Sequence, residues 1–192
     1  MSTSRIFARN HLALMRWNRR QPGVDLQAAL DAVPPAVGEA FRLASAELVR
    51  LGVRHAVCGG LAVGAHGYPR ATKGVDFLVG DEAFEHHGPI VTSRVHCQVL
   101  GIAVDAVHFP DAPFLDGELP EPGASAVVSP EALIYMKLRA GRLRDRTDIV
   151  ELIKAGGVDP ESVRAYLRTN APGFLDAFEG LVEVAAREDA AE

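Results

Sequence analysis

A short strand that runs straight into two glycines constrains this chain more than any other feature. Val53 to Cys58 reads as that strand, Gly59-Gly60 as the break, and Leu61 to His66 as a helix starting at the glycines. Two glycines after a strand let a backbone approach a ligand closely. The helix behind them presents free N–H groups, a ready site for an anion such as phosphate. The plainer reading is a simple strand-to-helix turn. Gly67-Tyr68-Pro69 breaks the helix, and Val75 to Val79 reads as a second strand.

That second strand holds an acid where apolar residues are expected: Val75-Asp76-Phe77-Leu78-Val79. Asp105 stands the same way in Ile102-Ala103-Val104-Asp105-Ala106-Val107. An ionised group in an apolar strand is costly unless paired or metal-bound. Two such acids on separate strands suggest a shared cation; the plainer reading is a pair of structural acids. Residues 74, 76 and 78 share one strand face. Arg70, Thr72 and Lys73 gather just before that strand, beside the glycine turn, where they are phosphate-binding candidates or solvated turn residues.

The rest of the chain reads as α+β. Residues 36–50 repeat Val37, Phe41, Ala44 and Leu48 at helical spacing. Residues 94–100 and 102–108 form a hairpin closed near Gly101, and 110–123, with four prolines and two glycines, form a loop. Ala126–Val128 is a short strand. Ser129-Pro130 starts a helix as N-cap and first residue, running to Ala140. Helices are expected at 145–155, 160–169 and 173–187. The expected organisation is a basic arm over 1–24, an α/β core over 25–128 and a helical region over 129–192.

Charge and composition narrow the partners. The 192 residues carry a net charge of −5, so no global basic field holds nucleic acid. Residues 1–24 hold five arginines and no acid, a surface arm or one that touches phosphate or an acidic partner. Those arginines interrupt any signal-peptide core, and no apolar run reaches the roughly 18 residues that span a bilayer. With two cysteines outside any CxxC pair, a reducing cytoplasm and no membrane partner are expected. His86-His87 with His96-Cys97 invites a zinc site, but the spacing fits no common one, and surface histidines are expected. His66 lies beside the glycine turn, within reach of a base or ribose, with a packed helix-end role as the plainer reading. The acidic stretch 171–192 repeats Leu175, Phe178, Leu181, Val182 and Ala185 at helical spacing, an amphipathic helix and a hint of a docked partner protein.

The segment from Cys58 to Val79 resembles the nucleotidyltransferase superfamily, and within it the AbiEii-type toxins and MNT-like proteins. That pattern is an apolar residue, Gly-Gly or Gly-Ser, a spacer, acid-apolar-acid, and a third acid on a later strand. Ala132-Leu-Ile-Tyr-Met-Lys137 and Arg144-Asp145-x-x-Asp148 are similar to the family's Lys-bearing helix and its Arg-Asp-x-x-Asp helix. The resemblance covers roughly residues 36–155.

It implies a small mixed sheet flanked by helices, Mg²⁺ or Mn²⁺ held by Asp76 and Asp105, and a nucleoside triphosphate as substrate. Gly59, Gly60, Arg70, Thr72 and Lys73 would bind the nucleotide, and Lys137 would join Asp76 and Asp105 in catalysis. Lys137 snorkelling to solvent is the plainer reading, as is pairing of Asp145 and Asp148 with Arg142, Arg144 or Arg146 on the helix surface. The reaction would move a nucleoside monophosphate to an RNA, protein or small-molecule acceptor, with an antitoxin-like protein as partner. One position departs from the family: Gly74 stands where the first acid belongs. Three explanations compete: an active transferase with a weakened or single-metal site, a degenerate nucleotide- or partner-binding module, or an engineered inactivation.

Overall fold

A computed structural model describes residues 23–85 and 94–190. The arginine-rich stretch through residue 22, the pair His86-His87 and Glu192 lie outside the described residues, as does the side chain of His96.

The elements are α1 (Leu26–Asp31), α2 (Pro35–Arg50), β1 (His55–Cys58), α3 (Gly59–Ala65), β2 (Gly74–Val79), α4 (Glu82–Glu85), β3 (Arg94–Val99), β4 (Ile102–Val107), β5 (Ala126–Val127), α5 (Pro130–Ala140), α6 (Leu143–Lys154), α7 (Pro160–Asn170) and α8 (Leu175–Asp189). Short 3-10 turns occupy Pro113–Glu118 and Pro172–Phe174. The α+β expectation holds: five strands form one mixed sheet, ordered β3-β4-β2-β1-β5, flanked by helices. β1 pairs antiparallel with β2 and β3 with β4, whereas β2 runs parallel to β4 and β1 to β5.

The sheet's two faces have different coverings. Val75, Phe77 and Val79 point to the face under α2, where Phe41 stacks on Phe77 at 5.8 Å between ring centres. His55 joins them from β1, fully buried, its ring edge-on to Phe77. Its Nδ1–H donates to the Val53 carbonyl at 3.0 Å, and Nε2 accepts from the Ser45 hydroxyl at 2.9 Å. Alternation puts Gly74, Asp76 and Leu78 on the opposite face, the side roofed by α5.

Helix starts follow their local chemistry. Ser129 caps α5 by accepting from the Ala132 N–H at 3.2 Å, with Pro130 in the first turn where its missing N–H costs nothing. Asp159 caps α7 in the same way. α1 and α4 are two elements without a counterpart in the sequence pattern. α1 spans six residues and α4 four, too short to display a 3.6-residue period. The apolar stripe of α8 (Phe178, Leu181, Ala185) is buried within this chain, so its acidic face alone meets solvent. One cluster of buried side chains runs from Leu26 to Ala185 and includes both the sheet and the C-terminal helices.

Candidate functional site

Asp76 and Asp105 are direct register partners on the parallel strands β2 and β4. In parallel pairing, register partners project to the same face, so the two carboxylates rise side by side on the side roofed by α5. Cys58 is the register partner of Asp76 on the other flank and is fully buried; burial pushes its thiol up, and the Asp76 charge adds to that. The site face therefore concentrates negative charge on two neighbouring strands, β2 and β4, with a neutral thiol beside them on β1.

The glycine pair explains how Asp76 is accommodated. Gly59 has φ +58°, and a Cβ on it would overlap the Asp76 carboxylate. A Cβ on Gly60 would come within 2.8 Å of the Thr72 hydroxyl oxygen. These glycines thus make room for two side chains arriving from the β2 side. α3 begins at Gly59, at the glycines where the sequence places its start, and glycine tolerates the positive φ at the strand-to-helix corner. Thr72 is buried and donates to the Gly74 carbonyl at 3.3 Å. Lys73 next to it is exposed. At Gly74 a Cβ would stand 3.0 Å from the Ala103 carbonyl oxygen, a tight fit against β4.

Across the face, α5 and α6 build a buried charge network. Lys137 is 5% exposed. Its Nζ lies 2.5 Å from Asp148 Oδ2 and 3.2 Å from Asp145 Oδ1. Asp148 also receives two bonds from Arg70, at 2.5 and 2.6 Å, across 78 positions of sequence. Asp145 is completed by Arg142 Nε at 2.7 Å. Two carboxylates thus hold three cations drawn from α5, the entry to α6 and the loop before β2. Burial pushes the Asp145 carboxyl up, and the Arg142 hydrogen bond and the Lys137 charge reverse this, leaving it below its ordinary value. Arg142 is held more firmly protonated by its hydrogen bond to Asp145, and the Asp76 charge adds to the effect. Arg144 ties α6 to the loop by donating to the Ala71 carbonyl at 3.0 Å.

Between sheet and helices lies a cavity of about 390 Å³ lined by Cys58, Gly59, Asp76, Lys137, Arg142 and Asp145, among others. The structure therefore gathers Gly59, Asp76 and Lys137 around one space. Asp105 stands beside Asp76 on the sheet. Arg70 reaches the network from behind, through Asp148, while Thr72 packs against Gly60. His66 is buried, and its Nε2–H donates to the Val128 carbonyl at 2.8 Å, which is the packed helix-end role.

Sequence reasoning left Arg142 out of the site and weighed a place in the family's Arg-Asp-x-x-Asp helix for Asp145 and Asp148 against surface pairing. The i, i+3, i+6 spacing of Arg142, Asp145 and Asp148 does put all three on one helix face, so part of the network was signalled. Pairing of Asp145 with Arg142 is found. Lys137 is a bridge between two acids rather than a snorkelling side chain, because the turn at Gly141 folds α6 back against α5.

No family model matches the sequence, and no curated protein does. Among solved structures, the crystal structure of an antigenic nucleotidyltransferase-like protein from Paracoccidioides brasiliensis is similar, with 17% identity, a TM-score of 0.36, and coverage of 80% of this chain and 93% of that one. At that level of agreement the site is read from its own residues.

Proposed function

We propose that the cavity beside Asp76 binds a nucleoside triphosphate together with Mg²⁺ or Mn²⁺, and that the protein transfers a nucleoside monophosphate from it to a hydroxyl or phosphate acceptor. The observation that carries this reading is the register of Asp76 with Asp105, joined to a cavity that Asp76 shares with Lys137 and Arg142. Paired carboxylates are hard oxygen donors suited to a small divalent cation that keeps phosphate and water oxygens as its other ligands. Gly74 supplies no third carboxylate, and among the described residues no group of three His, Cys, Asp or Glu is placed to hold a metal. The donor set, Asp76 and Asp105, fits one ion completed by phosphate oxygens, the single-metal alternative among the readings of the sequence.

Bound there, the ion supplies charge neutralisation on the triphosphate and acidifies the attacking hydroxyl. The chain's own residues do the positioning. Gly59 leaves its backbone open to the phosphates, and Arg142, 72% exposed at the side chain, offers a guanidinium to them. Lys137 supplies a fixed positive charge in the wall. In the transfer, the acceptor oxygen bonds to the α-phosphorus and the bond to the bridging oxygen breaks. Pyrophosphate leaves with that electron pair, and the acceptor's proton is released. The toxin-like role, with an RNA, protein or small-molecule acceptor and an antitoxin-like partner in the cytoplasm, belongs to the same proposal and draws on the sequence resemblance.

A second reading, a nucleotide-binding module without turnover, is favoured by one observation. Arg70 and Lys137, both wanted on phosphate, are already paired with buried carboxylates. One experiment separates the two. The protein and its Gly74→Asp variant are incubated with each α-labelled nucleoside triphosphate, Mg²⁺ or Mn²⁺, and total RNA plus cell extract. Label moved by the unmodified chain establishes the transferase. Label moved only by the variant means that the missing carboxylate silences an intact scaffold. Nucleotide binding without label transfer from either establishes the binding module, and absence of binding refutes both readings.

A further inference from the structure

A second cavity, of about 450 Å³, adjoins the first and shares only His108 and Phe109 with it. It sits at the end of the sheet away from Gly74, where Arg54 precedes β1, Asp81 follows β2 and His108 follows β4. Phe109, Leu115 and Leu119 give it an apolar wall. The Phe109 ring is fixed from behind by the Arg139 guanidinium, 4.8 Å from the ring centre, and Arg139 is itself anchored on Asp111 at 2.7 Å.

The polar groups of this cavity have a clear sign. Arg54 gives Nε and Nη2 to carboxylates: Nη2 lies 2.9 Å from Asp116 Oδ1 and 3.2 Å from Glu82 Oε2, and Nε lies 3.0 Å from Glu82 Oε1. The Glu82 carboxylate also accepts the Arg54 backbone N–H at 2.7 Å. His108 Nε2 lies 2.6 Å from Asp81 Oδ1. The Arg54 guanidinium therefore faces two carboxylates, Glu82 beside the cavity and Asp116 in its wall, and Asp81 adds a third next to His108. Asp81 and Asp116 stand at the mouth with side chains 79% and 61% exposed, so both keep oxygen lone pairs for an incoming donor.

We propose that this cavity is a second ligand site, for a small flat molecule bearing an amine. The flat body lies along Phe109 and Leu119, and the ammonium is taken between Asp81 and Asp116 at the mouth. A ligand-sized concavity with an apolar wall and a few convergent polar groups is the usual form of a small-molecule site. An anionic ligand is disfavoured by the same groups, since Arg54 Nε and Nη2 are already given to carboxylates and the carboxylates repel it. The proposal stands apart from the nucleotide reading.

Tyramine and 4-hydroxyphenylacetate have similar bodies and opposite charges, which makes them suitable probes. Each is titrated into the ¹⁵N-labelled full chain while backbone amide signals are followed at Gly80, His108 and Asp116, and at Gly59 and Arg142 in the neighbouring cavity. Tyramine is expected to move the first group of signals and to bind about tenfold tighter than the acid. Asp81→Asn combined with Asp116→Asn should weaken tyramine about fivefold, the scale of partly exposed ion pairs. Both positions are exposed, so that variant keeps its fold. Leu119→Trp, which fills the cavity, should abolish binding while the remaining spectrum is retained. Equal binding of the two probes, shifts confined to Gly59 and Arg142, or no shift at millimolar tyramine would each overturn the proposal.

Discussion

At the residue scale, the glycines decide what the site can hold. Gly59 combines a left-handed φ with a carboxylate where its Cβ would be. Gly59→Ala is therefore expected to cost about 2 kcal/mol or more, from the backbone conformation and the displaced Asp76 together. A lowered urea midpoint at unchanged slope checks this, and a shift under a few tenths of a kcal/mol refutes it. Gly74 is a different case. Its Cβ would meet the Ala103 carbonyl oxygen at 3.0 Å, so a larger residue fits only if β4 gives slightly. Gly74→Asp also puts a third carboxylate on the face of Asp76 and Asp105, two residues from Asp76. About 1 kcal/mol of destabilisation is expected without metal, and Mg²⁺ should restore it. A thermal midpoint that rises with millimolar Mg²⁺ more in the variant than in the parent is the expected result. The sequence pointed to both glycines, to Gly59 because glycine after a strand is a local signal and to Gly74 because the family resemblance implies an acid there. That a carboxylate lies against Gly59 was not legible, since it depends on how β1 and β2 pair.

At the element scale, α5 and α6 act as one unit through Lys137. Removing that cation leaves Asp145 and Asp148, 4% and 1% exposed, with one arginine each. Lys137→Met is expected to cost about 3 kcal/mol, the order found when one partner of a buried ion pair is lost. Adding Asp148→Asn to Lys137→Met should recover part of that loss, because the neutral amide no longer needs a second cation. Urea unfolding of the two single variants and the double variant measures the coupling; strict additivity would mean that the pair does not interact. The start of α5 was readable from Ser129 and Pro130, each of which acts on its own neighbours. The partners of Lys137 were not. They lie eight and eleven residues away across a turn, and the Arg70 contact lies far beyond any helical spacing. α1 and α4 escaped for a related reason: segments of one turn are held by tertiary packing rather than by propensity.

At the scale of the whole molecule, two buried histidines set the response to acid. His55 on β1 faces Ser45, Ser125 and Phe77 under α2, and His66 ends α3 against the Val128 carbonyl. Burial lowers the pKa of both below the ordinary value of 6.5, although each hydrogen bond to a carbonyl works the other way. In the unfolded chain both take up protons as pH falls through 6.5, whereas the folded chain resists until its own lower values are reached. The unfolded state then binds more protons, so stability falls with pH in that window and is level above it. The net charge of −5 shrinks over the same range, since the isoelectric point is near 5.8, and weaker self-repulsion opposes the loss. Exposed charges are screened and buried imidazoles are not, so the histidines prevail. A second decline belongs to Asp145 and Glu82, whose lowered pKa values withdraw stability as pH falls below their ordinary 3.8 and 4.5. Unfolding free energy measured from pH 8 to pH 3 should thus be flat, fall below 6.5, and fall again below about 4.5. The His55→Asn, His66→Asn double variant is expected to start less stable and to lose the first step while keeping the second. A parent profile with no change between pH 7 and pH 5 would show that these imidazoles are solvated rather than sealed in the core.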